Sequence, residues 1–152
     1  MKHLIVIAFM FSMTGQLIAQ PDHPKYDSIL ARSLGADDYG MKSYVFVILK
    51  TGPTVITDQT KQDSLFAGHM HNIQRMAAEG KLVVAGPFFE NDHAYRGLFI
   101  LNVTSFKEAR TLLSADPAIL EKVFEVDLYN WYGSAALGEY LKVHERIEKK
   151  RF

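Results

Sequence analysis

The histidine at position 69 is the residue whose type and place most need a chemical explanation. The stretch GHMHNIQRMAAEGKLVVAGPF, residues 68 to 88, reads as a helix, a glycine stop, a short apolar strand and Gly-Pro. On a helix over 64–79, Leu65, Ile73 and Met76 form an apolar stripe, and His69 holds a place in it where another apolar side chain belongs. An imidazole there is a metal ligand, an acid/base group, or a core residue with one hydrogen-bond partner. Geometry removes the first. His71 lies about 200° further round the helix, so the two rings cannot close on one ion as an i, i+4 pair would. No metal is expected, and His71 and His93 are expected to face solvent. The chain has no cysteine, which excludes thiolate nucleophiles, disulfides and cysteine-ligated zinc. Asp116 stands before Pro117, an order that starts a helix with the carboxylate as its cap. The residues alone leave His69 open between acid/base group and core histidine, and leave Asp116 open to a purely capping role.

The elements that must position these groups follow from the pattern. A short helix is predicted over 25–34, stopped at Gly35, and a strand over 41–50 rich in Val, Ile, Tyr and Phe. A polar loop then runs to Asp63, the expected cap of the helix 64–79, with Gly80 at its stop. Strands follow over 81–86 and 97–103, then a helix over 104–114 opened by a Ser105/Glu108 capping box. After the turn at Asp116-Pro117, a last strand covers 123–133. The order is β-α-β-β-α-β, an α+β ferredoxin-like arrangement. In the tail, 134–152, Leu137, Tyr140, Leu141, His144 and Ile147 keep helical spacing. Along the first strand Tyr44, Phe46 and Ile48 point one way and Val45, Val47 and Leu49 the other. Both helices of this topology cover one sheet face, so the second apolar face needs another cover. A second copy of the chain is the simplest cover, and the terminal segments are the alternative.

Bulk composition bounds the partners. The chain has 152 residues, 48% hydrophobic and 22% charged, with 17 basic and 17 acidic side chains. One domain with a real core fits that length. A net charge of zero without a basic block gives no footprint for nucleic acid or for an anionic membrane surface. Residues 1–20 run from Lys2 through an apolar stretch, Leu4 to Met13, to small Ala19, the order of a secretory signal peptide cut after Ala19 or Gln20. The apolar run is short of the ~20 residues that span a bilayer. The mature protein is expected to be exported, periplasmic or secreted, with no membrane contact once the leader is gone. Residues 21–40 form an extension ahead of the domain at 41–133.

Several of these residues fall together in a known pattern. A helix histidine, a glycine eleven residues later, an apolar strand and Gly-Pro resemble the YciI-like (YCII-related domain) family, with His69, Gly80, Gly86 and Pro87 at its motif positions. Ala115, Asp116 and Pro117 resemble its second motif. The segments LGADDYGM and WYG resemble its exported branch. The resemblance covers about Met41 to Gly133. It implies a ferredoxin-like subunit that pairs through its sheet into a dimeric α+β barrel, a homodimer. It also implies a pocket with a reactive histidine and aspartate, here His69 and Asp116, acting without cofactor on an unidentified small molecule. Where the family often has Arg-Pro before the histidine, this chain has Phe66-Ala67-Gly68, so that arginine's role is not carried over. The implied chemistry is lyase-like acid/base catalysis, such as dehydrochlorination of a ring, with Tyr44, Phe46, Gly86, Pro87, Phe88 and Trp131 as candidate pocket residues. Two other readings stay open: a non-catalytic ligand-binding or structural dimer, and monooxygenase activity like that of other dimeric barrels.

Overall fold

The computed structural model describes residues 25–150; the leader segment lies outside them. In chain order the elements are α1 (Ser28–Leu34), β1 (Met41–Thr51), α2 (Gln59–Ala78), β2 (Leu82–Pro87), β3 (Tyr95–Leu101), α3 (Phe106–Leu113), α4 (Pro117–Leu120) and β4 (Phe124–Ser134). A 3-10 segment, Ala135–Tyr140, then runs directly into α5 (Leu141–Ile147). The strands form one sheet in the order β2-β3-β1-β4. β3 pairs antiparallel with both β1 and β2, so β1 and β2 run parallel across it, as a β-α-β crossover demands. This is the ferredoxin-like subunit.

Period-2 alternation divides the sheet into two different faces. Val45, Val47, Leu49, Phe99 and Leu101 point toward the helices and pack with Met76, Ala109 and Leu113 into the main core. Tyr44, Phe46, Leu98 and Ile100 point the other way. There the tail covers part of the face. Leu137 packs against the cluster of Tyr44, Val83 and Ile100, and the Tyr44 hydroxyl donates to the Ser134 carbonyl at 2.8 Å. The rest of that face, carrying Tyr129 and Trp131 opposite Phe46 and Tyr44, has no cover from the described residues.

Helix α2 differs from the sequence expectation at its start. It begins at Gln59, capped by Asp58, whose carboxylate accepts from the Lys61 amide at 2.7 Å; Asp63 lies inside the helix, taking a bond from Gln59 Nε2 at 2.8 Å. The first turn and a half is exposed all round, so no apolar stripe marks it in the sequence. The other end is as expected, with Gly80 at a φ of 67°, where a Cβ would be strained. The Ser105 hydroxyl caps α3 through the Glu108 amide. Glu108 does not return the bond, because its carboxylate is held by Lys81 Nζ at 2.9 Å.

Ahead of the sheet, the extension is tied down by Asp37. One carboxylate oxygen accepts from the Tyr39 and Met41 amides, and the other accepts the Tyr132 hydroxyl of β4. Among the described residues no helix is long and apolar enough to cross a membrane.

Candidate active site

The buried line of α2 is His69, Asn72 and Met76, with Leu65 and Ile73 half-buried beside it. His69 is 8% exposed and Asp116 is fully buried. Their side chains meet: His69 Nδ1 lies 2.6 Å from Asp116 Oδ2. Asp116 occupies the cap of α4, and its other oxygen, Oδ1, accepts from the Ala118 amide at 2.9 Å. Capping and pairing are therefore shared between the two oxygens of one carboxylate. Each bond satisfies a group that would otherwise be buried without a partner, at about 1–3 kcal/mol apiece.

The close approach of the two elements depends on Gly68. A Cβ there would stand 2.4 Å from Pro117 Cγ, so only glycine lets α2 lie against the first turn of α4. Gly68 serves helix packing at this point.

Around the imidazole stand three aromatic rings, with centroids at 5.2 Å (Phe124), 6.1 Å (Phe99) and 6.4 Å (Phe66). Phe99 is buried and Phe124 half-buried, whereas Phe66 is 62% exposed at the edge of the group. With a carboxylate accepting at Nδ1, the neutral imidazole carries its proton there and leaves Nε2 with a free lone pair. That arrangement can take a proton from a carbon or hydroxyl acid and return it elsewhere.

His69 lines a cavity of about 490 Å³ between α2 and the β2–β3 side of the sheet. Leu49, Leu82 and Phe99 form its floor, Met70 and Ile73 its helical wall, and α5 closes the far side. Gly86 and Pro87 line it, where the sequence places them. Phe88 does not. Its ring packs on Tyr95, centroids 6.0 Å apart, and is partly in solvent. Tyr44, Phe46 and Trp131 are also outside the cavity, a correction to the expected lining. Pairing in register puts Trp131 opposite Tyr44 and Tyr129 opposite Phe46, all on the sheet face away from α2. Trp131 folds back over Gly133, where a Cβ would meet the indole at 2.1 Å.

The structure adds three polar lining residues absent from the sequence expectation: Arg96, Tyr140 and His144. Tyr140 and His144 belong to the helical pattern of the tail, but nothing in that pattern says the tail returns to the domain's pocket. Arg96 sits alone at the start of a strand, without a motif to mark it. Burial pushes the Tyr140 hydroxyl above its ordinary pKa, so it remains a donor at neutral pH. His71 and His93 are exposed, His93 stacked on Tyr95 at 5.2 Å. Among the described residues no group of three or more His, Cys, Asp or Glu side chains is placed to hold a metal ion.

Comparison with known proteins bears on this domain. The profile of the YCII-related domain matches residues 43–131, a span that contains both His69 and Asp116. The uncharacterized protein YjpA of Bacillus subtilis (strain 168) is 28% identical over 88 residues, 58% of this chain and 94% of that one. Among solved structures, 5-chloro-2-hydroxyhydroquinone dehydrochlorinase (TftG) from Burkholderia phenoliruptrix AC1100, in complex with 2,5-dihydroxybenzoquinone, is similar at a TM-score of 0.40 and 18% identity. That match covers 57% of this chain and 92% of the other.

Proposed function

Because this chain belongs to the YCII-related domain family, we propose that its matched domain is a small-molecule enzyme in which His69 moves a proton and Asp116 orients it. One observation carries this reading: the 2.6 Å bond from a buried carboxylate to the Nδ1 of a histidine that lines a cavity. A core histidine needs only one neutral partner, such as a backbone carbonyl. A buried carboxylate on Nδ1 does more, since it stabilises the imidazolium that forms when Nε2 takes a proton. The lining residues supply proton transfer and an apolar bed, which suits abstraction of a proton with loss of a leaving group from a neighbouring atom. The reaction class is a lyase-type elimination run by these side chains.

The second reading is a binding or structural module, and the near-complete burial of His69 favours it, since a polar pair also staples α2 to α4. Incubation in deuterium oxide with a panel of halogenated and hydroxylated ring compounds separates the two. An enzyme exchanges ring protons or releases halide, and His69→Gln abolishes this while the fold survives. A panel without exchange or release, with His69→Gln lowering only the unfolding midpoint, assigns the pair to structure.

A further inference from the structure

From the cavity's charge pattern we infer that it binds an apolar ring carrying one negative charge, and that the tail helix α5 is part of this binding site. The inference rests on the reading of the His69 cavity as a small-molecule site and names its ligand class.

No carboxylate side chain lines the cavity, and Arg96 is the one lining residue with a permanent charge. Its Nε donates to Thr51 Oγ1 at 2.6 Å, and its guanidinium makes no ion pair among the described residues. The side is thereby oriented, with its remaining N–H groups free for an oxygen anion. From α5, His144 adds a second donor, whose ring has no hydrogen bond or ion pair of its own among the described residues, and Tyr140 adds a hydroxyl. Arg96 and His144 are exposed whereas His69 is buried, so the guanidinium and the second donor stand at the mouth and the His69 imidazole lies deeper. Between them the walls are apolar, including Leu49, Ile73, Leu82 and Phe99. A cavity of about 490 Å³ takes one compact ring compound. A ligand that fills it lays its ring on the apolar walls with its charge outward, which brings the ring edge toward His69. Tyr140, Leu141 and His144 lie beyond the matched span 43–131, so selectivity comes in part from outside the family domain.

The test titrates the full chain by NMR with benzoate and 4-nitrophenolate, and with the neutral ring probes benzamide and nitrobenzene. The two anions are expected to bind about tenfold tighter than their neutral counterparts. Preference for benzoate assigns a carboxylate to the ligand, and preference for 4-nitrophenolate an ionised phenol. Arg96→Met erases the preference, weakening the two anions more than their neutral counterparts. His144→Ala weakens both anions, and Leu141→Ala weakens charged and neutral probes alike. The three substituted residues lie at the mouth or on the tail, so unchanged unfolding midpoints verify their folds. Equal affinity of both anions and their neutral counterparts, no binding of any ring, or wild-type selectivity in Arg96→Met overturns the inference. His69→Gln retains the anion preference, so loss of catalysis and loss of selectivity are told apart.

Discussion

At the scale of single residues, Asp116 is the group whose two oxygens have separable duties, and substitution can separate them. Asparagine caps a helix about as well as aspartate, so Asp116→Asn keeps the Ala118 bond but turns an NH2 donor toward His69 Nδ1, which moves the neutral imidazole's proton to Nε2 and removes the free lone pair there. Turnover is expected to fall about a hundred- to ten-thousand-fold with a small change in stability, measured by substrate kinetics beside urea unfolding. Asp116→Ala removes both duties and leaves the His69 Nδ1–H without its buried acceptor, so unfolding free energy should drop by about 2–4 kcal/mol, a lost cap plus an unsatisfied buried donor. Equal activity of wild type and Asp116→Asn would reduce the residue to a cap. The pair itself was legible in the sequence: His69 breaks an apolar stripe, and Asp116 precedes proline in a motif that the family resemblance supplies. The aromatic residues were not sorted as well. Tyr44, Phe46 and Trp131 are as apolar as Phe66, Phe99 and Phe124, and only strand register tells which face each one joins.

At the scale of elements, contact between α2 and α4 rests on an absent side chain. Gly68→Ala drives a methyl against Pro117 Cγ, and either helix must shift. The expected loss is about 1–3 kcal/mol of stability, with activity lost through a stretched His69–Asp116 bond. Adding Pro117→Ala removes the obstructing ring carbon, so the double variant should recover part of the loss, a non-additive coupling of about 0.5–3 kcal/mol in a denaturation cycle. The extension is held differently, by a titratable clasp. The Tyr132 hydroxyl, then the Met41 amide, holds the Asp37 carboxyl below its ordinary 3.8, and the same bond pushes Tyr132 up to about 12. A depressed carboxyl stabilises above its unfolded pKa and loses this as pH falls through its folded value. A raised phenol stabilises below its unfolded pKa of 10.0 and loses this as pH rises through about 12. The clasp is therefore intact from about pH 4 to pH 10 and opens at both extremes. Hydrogen-exchange protection across residues 25–40, taken relative to the intrinsic rate at each pH, should fall in acid, and Tyr132→Phe should lower it at neutral pH toward that acid level. Element order and most boundaries were legible because apolar periodicity marks a buried face. The start of α2 was not, because residues 59–64 are exposed all round and make only polar contacts.

At the scale of the whole molecule, the face of the sheet away from α2 is half finished. The tail buries Tyr44, Val83 and Ile100, while Tyr129 remains 50% exposed and Trp131 37% exposed, with Phe46 and Leu98 half-buried beside them. We propose that a second copy completes this cover, since an apolar patch built on paired strands suits a two-fold, self-complementary contact. Sedimentation should give twice the chain mass, and Tyr129→Asp should give the single mass with an unchanged fold; wild-type protein sedimenting as a monomer would refute the pairing. We also propose export, from the leader-like order of residues 1–20. Intact mass of the chain expressed in a bacterial host should begin near residue 20 or 21, and a secreted or periplasmic product starting at Met1 would contradict it. The 3-10 segment after β4 ties these scales together: it lies on the second face and continues without a break into α5, the wall of the His69 cavity. Filling the cavity and pairing the subunits then act on one continuous piece of chain, and linkage makes any effect of one on the other reciprocal. A ring anion's apparent affinity should vary with protein concentration, and saturating ligand should shift the dimerisation constant by the square of the per-site affinity ratio, one factor for each subunit's cavity.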